Sequence, residues 1–151
     1  TQYDAMRSAE GKAMENDLRG RGQTIAELVS QVEAGSGQTV IDYRTRLENK
    51  LKEVLANTAI DESRILTEAA IFADKVAVDE ETVRLRSHLD QMNHMLTAGG
   101  AIGRKLDFLL QEMNRESNTI GSKCSDVRLA RIVVEIKAEL EKIREQTQNI
   151  E

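Results

Sequence analysis

The sequence predicts an all-α protein, with a long helical hairpin followed by a smaller antiparallel helical bundle and a coiled-coil-like C-terminal helix. The 151 residues contain no proline, a residue that costs about 3 kcal/mol inside a helix. Aromatic residues make up only 3% of the chain, so aliphatic side chains must form most of the core. Apolar residues recur at spacings of three and four, which is the period of an amphipathic helix.

The hairpin is predicted to span residues 1–57. Its first helix runs from about residue 3 to residue 32, and its second from about residue 39 to Asn57. Between them, Ala34-Gly35-Ser36-Gly37 has the composition of a turn or flexible loop. The apolar faces of the two helices comprise Met6, Met14, Leu18, Ile25, Leu28, Val29 and Val32 in the first, and Val40, Tyr43, Leu47, Leu51, Val54 and Leu55 in the second.

A four-helix region is predicted over residues 60–151. Asp61 is expected to cap a helix that ends near residue 74, and Asp79 one that ends near residue 98. Gly99-Gly100 then stops the chain from continuing as a helix. The inward residues are expected to be Ile65, Leu66, Ala69 and Phe72 in the former helix, and Leu85, Leu89, Met92 and Leu96 in the latter.

The run from Gly103 to Lys123 places two different faces on one predicted helix. The apolar stripe contains Leu106, Leu109, Leu110, Met113 and Ile120, while the opposite side carries Arg104, Asp107, Gln111, Asn114, Arg115 and Asn118. Arginine forks and carboxamides suit phosphate, base and ribose edges. A buried contact between amide-rich helices would use the same residues. Phe108 does not fit the stripe, and either meets another helix or subunit or offers a stacking surface.

The last helix, predicted from about residue 126 to residue 149, has a heptad pattern. Leu129, Ile136, Ile143 and Ile150 recur every seven residues, with Val133, Leu140 and Thr147 between them. Such a seam forms either an antiparallel packing helix within the chain or a coiled coil between subunits.

Charge and cysteine content limit the classes of function. The net charge is −5, which argues against general nucleic-acid binding. However, the stretch from Gly100 to Arg131 holds six basic and four acidic residues, forming a locally basic patch that includes Lys105 and Lys123. The single Cys124 cannot form an intrachain disulfide, so a cytoplasmic location is favoured. We expect no membrane insertion, because the sequence lacks a long apolar run.

Histidine chemistry has two candidates. His88 shares a helical face with Glu81 and Arg84, and a carboxylate can orient an imidazole that moves protons near neutral pH. These residues would equally form an ordinary surface ladder. His94 lacks such neighbours and is interpreted as a surface residue.

Glu112 and Glu116 lie one turn apart on the helix that follows Gly103. Two carboxylates would suit a divalent metal ion such as Mg²⁺ or Mn²⁺, because both ions prefer oxygen ligands. The alternative is pairing with Lys105 or Arg115. No cysteine–histidine cluster, Walker loop or dinucleotide fingerprint is present in the sequence.

The run GRKLDFLLQEMNRESNTIGSK resembles the signature of the YicC/YloC family of bacterial endoribonucleases. Further similarity follows the Glu80-Glu81, Arg84-Leu85 and His88 spacing, the C-terminal segment from Ile143 to Glu151, and the segment that begins at Met6-Arg7. The resemblance covers nearly all of this chain but only about the C-terminal half of a family member.

The resemblance implies an endoribonuclease that cleaves phosphodiester bonds in RNA. It also implies a ring-like homo-oligomer, a hexamer, that encloses the RNA. Catalytic candidates are His88, Glu81, Glu112 and Glu116. The RNA-binding candidates are Arg104, Lys105, Gln111, Asn114, Arg115, Asn118 and Lys123. The alternatives are a non-catalytic oligomerisation or RNA-docking module whose active groups lie in an N-terminal domain, and a helical adaptor that binds protein.

Overall fold

The computed structural model describes residues 2–55, 59–124 and 126–150. Within these ranges all regular structure is α-helical, so the predicted all-α class is confirmed. The helices are α1 (Gln2–Leu55), α2 (Glu62–Val76), α3 (Asp79–Ala98), α4 (Gly103–Lys123) and α5 (Val127–Ile150). Asn57, where we expected the second hairpin helix to end, lies outside the described residues, as do the side chains of Met6 and Ile150.

The predicted hairpin is wrong, because α1 continues without interruption through residues 34–37. Gly35 is helical, and a Cβ built on it would lie 2.7 Å from Leu129 Cδ2 on α5. One turn later, Thr39 Oγ1 donates a hydrogen bond to the Gly35 carbonyl, 2.9 Å away. Gly35 therefore allows α5 to approach α1 closely, and it does not form a turn.

Four helices form a closed ring in the order α1, α3, α4 and α5, with each helix packed against the next. Neighbouring helices run antiparallel. Between α3 and α4, for example, the contacts are Glu81–Lys123 and His88–Glu116. From the first contact to the second, the residue number rises by seven on α3 and falls by seven on α4. Arg21 of α1 meets Glu139 of α5 with 3.2 Å between nitrogen and oxygen. The predicted antiparallel bundle is thus present, but α1 supplies its fourth helix.

The centre of this bundle is aliphatic, as the sequence predicts. All five stripe residues of α4 are buried, and so are the α5 seam residues Leu129, Val133, Ile136, Leu140, Ile143 and Thr147. Leu18, Ile25 and Val29 of α1 complete the same cluster together with Leu85 and Met92 of α3. The α5 seam is therefore buried against helices of its own chain.

α2 lies outside the ring and packs on the C-terminal part of α1. The Tyr43 and Phe72 rings stack with centroids 3.9 Å apart. Leu66 and Val54, which we expected to face inward, are 51% and 67% exposed. The hairpin prediction explains the error for Val54, since no second helix of a hairpin covers that side of α1.

The helix ends agree with the sequence in part. Asp61 caps α2 by accepting a hydrogen bond from the Arg64 amide, as expected. Asp79 does not cap α3; it is the first helical residue and Val78 occupies the cap position. After α3, Gly99 adopts φ 70°, a left-handed backbone conformation that favours glycine.

None of the helices in the described ranges combines the length and the apolar character that a membrane crossing requires.

Candidate functional site

Two titratable side chains meet where α3 packs on α4. His88 lies on α3, and its Nε2 is 3.7 Å from Oε2 of Glu116 on α4. The His88 side chain is 18% exposed and that of Glu116 only 3%. The antiparallel register of the two helices sets this pairing, which the sequence did not reveal.

Two polar atoms of the His88–Glu116 pair lack hydrogen-bond partners among the described residues. Glu116 Oε2 and His88 Nδ1 are both buried, and neither has a hydrogen-bond partner within the described part of the chain. Burial raises the pKa of Glu116, although the nearby His88 opposes that rise. Buried polar groups are nearly always satisfied in proteins, so these atoms mark a place where a ligand or proton is expected.

Glu112 completes a cluster with His88 and Glu116. One ligand atom from each of the three side chains can be chosen so that all lie within 4.8 Å of one another. An imidazole with two carboxylates is a donor set that Mn²⁺ and related divalent ions accept. The unsatisfied Glu116 oxygen gives the site a free ligand atom, so the residues present fit a divalent metal ion. We call His88, Glu112 and Glu116 the acid–imidazole cluster.

Two arginines flank the acid–imidazole cluster, one on each helix. Arg84 precedes His88 by one turn of α3, and Arg115 is adjacent to Glu116 on α4. Both guanidinium groups favour the ionised form of Glu116 and so oppose the effect of burial on its pKa. The Arg115 side chain is 73% exposed and that of Arg84 53%. Sequence reasoning placed Arg84 on the His88 face but did not assign it a role.

Glu81 does not join the cluster, although it shares a face with His88. Two turns away on α3, its Oε1 accepts a hydrogen bond from Lys123 Nζ at 2.9 Å. Lys123 also donates to the Ala77 carbonyl at 3.1 Å. Burial opposes ionisation of Glu81, but the Lys123 hydrogen bond and charge, with further help from Arg84, hold its pKa below the ordinary value. These contacts tether α3 to α4 through Glu81 Oε1, whereas Glu81 Oε2 is buried and has no hydrogen-bond partner in the described part of the chain.

The remaining RNA-binding candidates are exposed on α4, namely Arg104, Lys105, Gln111, Asn114, Arg115 and Asn118. Of these, Arg115 flanks the acid–imidazole cluster, with its Nη1 3.9 Å from Glu112 Oε1. Gln111 and Asn114 line a groove between α4 and α5, together with Lys137 and Arg144. His94 is exposed and its Nδ1 lies 2.7 Å from the Asp90 carbonyl oxygen, in keeping with its interpretation as a surface residue.

Known proteins match this chain over nearly its whole length. The family described as "Endoribonuclease YicC-like, C-terminal" matches residues 32–151. A protein of Clostridioides difficile named "Probable endoribonuclease YicC" is 48% identical over 147 residues, which are 97% of this chain and 50% of that protein. A protein of the same name from Haemophilus influenzae is 36% identical over 151 residues, which are 100% of this chain and 52% of that protein.

The chain therefore spans about half the length of the curated relatives it matches. The family match includes all four residues of the α3–α4 site described above, namely His88, Glu112, Glu116 and Arg84, as well as the whole of α4. This chain belongs to the family of YicC-like endoribonucleases and corresponds to their C-terminal part.

Proposed function

We propose that this chain is the C-terminal helical domain of a longer endoribonuclease, and that it helps to cleave phosphodiester bonds in RNA. The observation that carries the proposal is the acid–imidazole cluster between Arg84 and Arg115. It combines buried, unsatisfied titratable atoms with two exposed cations. The names of the two relatives support the same class of reaction.

Each side chain of the cluster has a role that its surroundings permit. Cleavage of RNA needs a base that activates the attacking oxygen and an acid that protonates the leaving oxygen. His88 is partly accessible, so its ring nitrogens can reach a bound RNA and serve as the acid or the base. Glu116 Oε2 lies 3.7 Å from His88 Nε2, where it can orient the ring. Arg84 and Arg115 hold the phosphate through charge-assisted hydrogen bonds.

We further propose that Glu112 and Glu116 bind a divalent ion, Mn²⁺ or Mg²⁺, through their carboxylate oxygens, which leaves His88 free to act as an acid or a base. When bound, the ion would neutralise charge that develops on the phosphate oxygens. Isothermal titration of this chain with MnCl₂ tests the site without any substrate. Glu116→Gln should weaken binding by at least about tenfold, because it removes the charge of the most buried ligand. Glu141→Gln, a change on the surface of α5, should leave binding unchanged. Equal affinities for all three proteins would contradict the metal site.

The cleavage test uses a labelled RNA hairpin with this chain and with the longer protein, each in EDTA and in Mn²⁺. We expect His88→Ala and Glu116→Gln to reduce cleavage by about 100-fold or more, with His94→Ala as the matched control. If the longer protein carrying His88→Ala cleaves at the normal rate, His88 has no chemical role. Activity that survives EDTA in the longer protein would exclude the ion from the reaction.

A second candidate is a non-catalytic RNA-docking and oligomerisation module. It is favoured by the coverage of only half of each relative and by the separation of the amide groove from the acid–imidazole cluster. Two results together would support this candidate. This chain would bind the RNA hairpin without cleaving it, and the longer protein would cleave the hairpin at the same rate with and without the cluster substitutions.

We also propose that the protein works as a homo-oligomer in the cytoplasm. The exposed Leu66, Ile71 and Val54 offer apolar surface on the arm made by α2 and the C-terminal part of α1. Sedimentation velocity of this chain gives the number of copies, for which the family resemblance implies six. A monomer at all concentrations would show that this part of the protein does not assemble by itself.

A further inference from the structure

The largest exposed apolar side chain of α4 is Phe108. It is 61% exposed, although phenylalanine usually supplies core area and the chain contains only two. The other, Phe72, is stacked on Tyr43. Phe108 thus offers most of its ring to the surroundings of the bundle.

Phe108 lies between two polar features of the surface. It precedes Glu112 of the acid–imidazole cluster by one turn, about 6 Å along the helix axis, and Arg115 by two turns. On its other side, it lines a groove of about 390 Å³ with Arg104 and Gln111 of α4 and Gln148 of α5. The ring is therefore at the border between the cluster and this groove.

From this position we infer that Phe108 is a stacking surface for an unpaired RNA base next to the bond that is cut. The inference rests on the proposed function. A nucleotide whose phosphate lies at the cluster would place its neighbour about one helical turn from Glu112, where the ring is. Base–aromatic stacking needs a base that is free of a duplex, so Phe108 would select single-stranded segments and loops.

The charges around Phe108 favour a nucleotide over an apolar protein surface. Arg104 and Lys105 are exposed one turn before it, and Arg115 is 73% exposed. The Asp107 carboxylate accepts a hydrogen bond from the Gln111 amide at 3.2 Å, which leaves the amide oxygen of Gln111 free to accept from a base edge. Cations beside an aromatic ring are the usual combination of single-strand binding sites.

The absence of tryptophan from the chain allows a direct test. Phe108→Trp introduces a single tryptophan at the stacking surface, and Val134→Trp introduces one on α5, where Val134 is 66% exposed. We expect a single-stranded 12-nucleotide RNA to quench the emission of the Phe108→Trp protein. A blunt duplex of the same length should quench it much less, and the Val134→Trp protein should respond to neither RNA.

Binding measured by fluorescence anisotropy of the labelled RNAs gives the size of the effect. Phe108→Ala and Phe108→Leu should both weaken single-strand binding by about 5- to 100-fold, which corresponds to the loss of one stacked base. Duplex binding should change by less than about twofold, and Phe108→Trp should retain the affinity of the original chain.

The remaining outcomes overturn the inference and separate it from the proposed function. Equal losses for both RNAs, or full single-strand affinity in Phe108→Ala, would leave the proposed function intact and remove Phe108 as a stacking surface. A change in oligomeric state in Phe108→Ala, with RNA affinity preserved, would assign the ring to a contact between copies. Failure of the unsubstituted chain to bind either RNA would contradict RNA binding by this part of the protein, and the stacking inference with it.

Discussion

Two glutamates buried between α3 and α4 have opposite electrostatic environments. Glu81 is 4% exposed and Glu116 is 3% exposed, so burial disfavours the charged form of both carboxylates. The pKa of Glu81 is lowered, because Lys123 donates to it. That of Glu116 is raised, because burial outweighs the charges near it. A nearby ammonium group thus favours the charged form of Glu81, whereas burial favours the neutral form of Glu116.

The Glu81–Lys123 tether should depend on pH. Glu81 has a folded-state pKa below its unfolded value of about 4.5, so its stabilising effect is present above pH 4.5 and is lost as the pH falls through the folded-state pKa. We expect Lys123→Met to lower the free energy of unfolding by about 2 kcal/mol at pH 7, because a buried carboxylate loses its partner. At pH 3 the difference should shrink, since Glu81 is then protonated in the variant.

Urea denaturation followed by circular dichroism measures both differences. Lys142→Met is the matched control, because Lys142 is 53% exposed and its partner Glu139 keeps its contact with Arg21. An exposed pair of this kind contributes at most about 1 kcal/mol. A loss in the Lys123→Met protein that is the same at pH 7 and pH 3 would contradict the ionic role of the tether.

At the scale of single residues, part of the candidate site could be predicted from the sequence. His88, Glu112 and Glu116 were recognisable as candidates from their residue types and from the family resemblance. The assignment of Glu81 to the same site followed from helical periodicity and from the family resemblance. Periodicity orders residues around one helix but does not tell which side chain of a neighbouring helix reaches them, so the competing contact from Lys123 was not predictable.

At the scale of the elements, the glycines of α1 show why a helix was mistaken for a loop. Ala34-Gly35-Ser36-Gly37 has the composition of a turn, yet Gly35 is used for close packing against Leu129. A glycine that removes a Cβ for packing and one that permits a turn are identical in sequence. Only the presence of α5 beside this part of α1 separates the two interpretations.

Alanine substitutions at the two glycines of this segment test the continuous helix. Gly37 is exposed, with open space where a Cβ would be placed, so Gly37→Ala should stabilise the protein by up to about 1 kcal/mol through helix propensity. Gly35→Ala gains the same propensity but brings a Cβ against Leu129. We expect it to be less stable than Gly37→Ala by about 1 kcal/mol or more.

Thermal and urea unfolding of the two variants provide the comparison. If residues 34–37 were a flexible loop, neither alanine would gain helix propensity and the two proteins would have similar stabilities.

The apolar stripes of α4 and α5, by contrast, were correct from the sequence, because each continues over several turns without a glycine that interrupts the pattern.

At the scale of the whole molecule, the chain has a bundle and an arm. Thr39 is the last buried residue of α1 in the described part of the chain, and the later residues of that helix are half-buried or exposed. Ile65 and Ala69 of α2 are buried but do not belong to the central cluster of the bundle. The helical class was predictable from composition, whereas the use of α1 in both parts depends on contacts far apart in the chain.

Hydrogen exchange should separate these two parts. We expect the backbone amides of residues 40–55 and of α2 to open with a lower free energy than those of α3, α4 and the bundle part of α1, because fewer buried contacts hold them. Exchange followed by mass spectrometry under native conditions gives the opening free energy of each segment. Uniform protection from Leu18 to Ile143 would show that arm and bundle unfold as one unit.

The continuity of α1 also fixes a length. Arg21, which pairs with α5, and Tyr43, which stacks on α2, are separated by about 33 Å along a single helix axis. Because a helix resists stretching far more than a loop does, α1 keeps the bundle and α2 at a fixed distance along its axis. A molecule that contacts the bundle beside Arg21 and also contacts α2 beside Tyr43 must match that spacing, so the helix sets the size of what the protein can hold at both places.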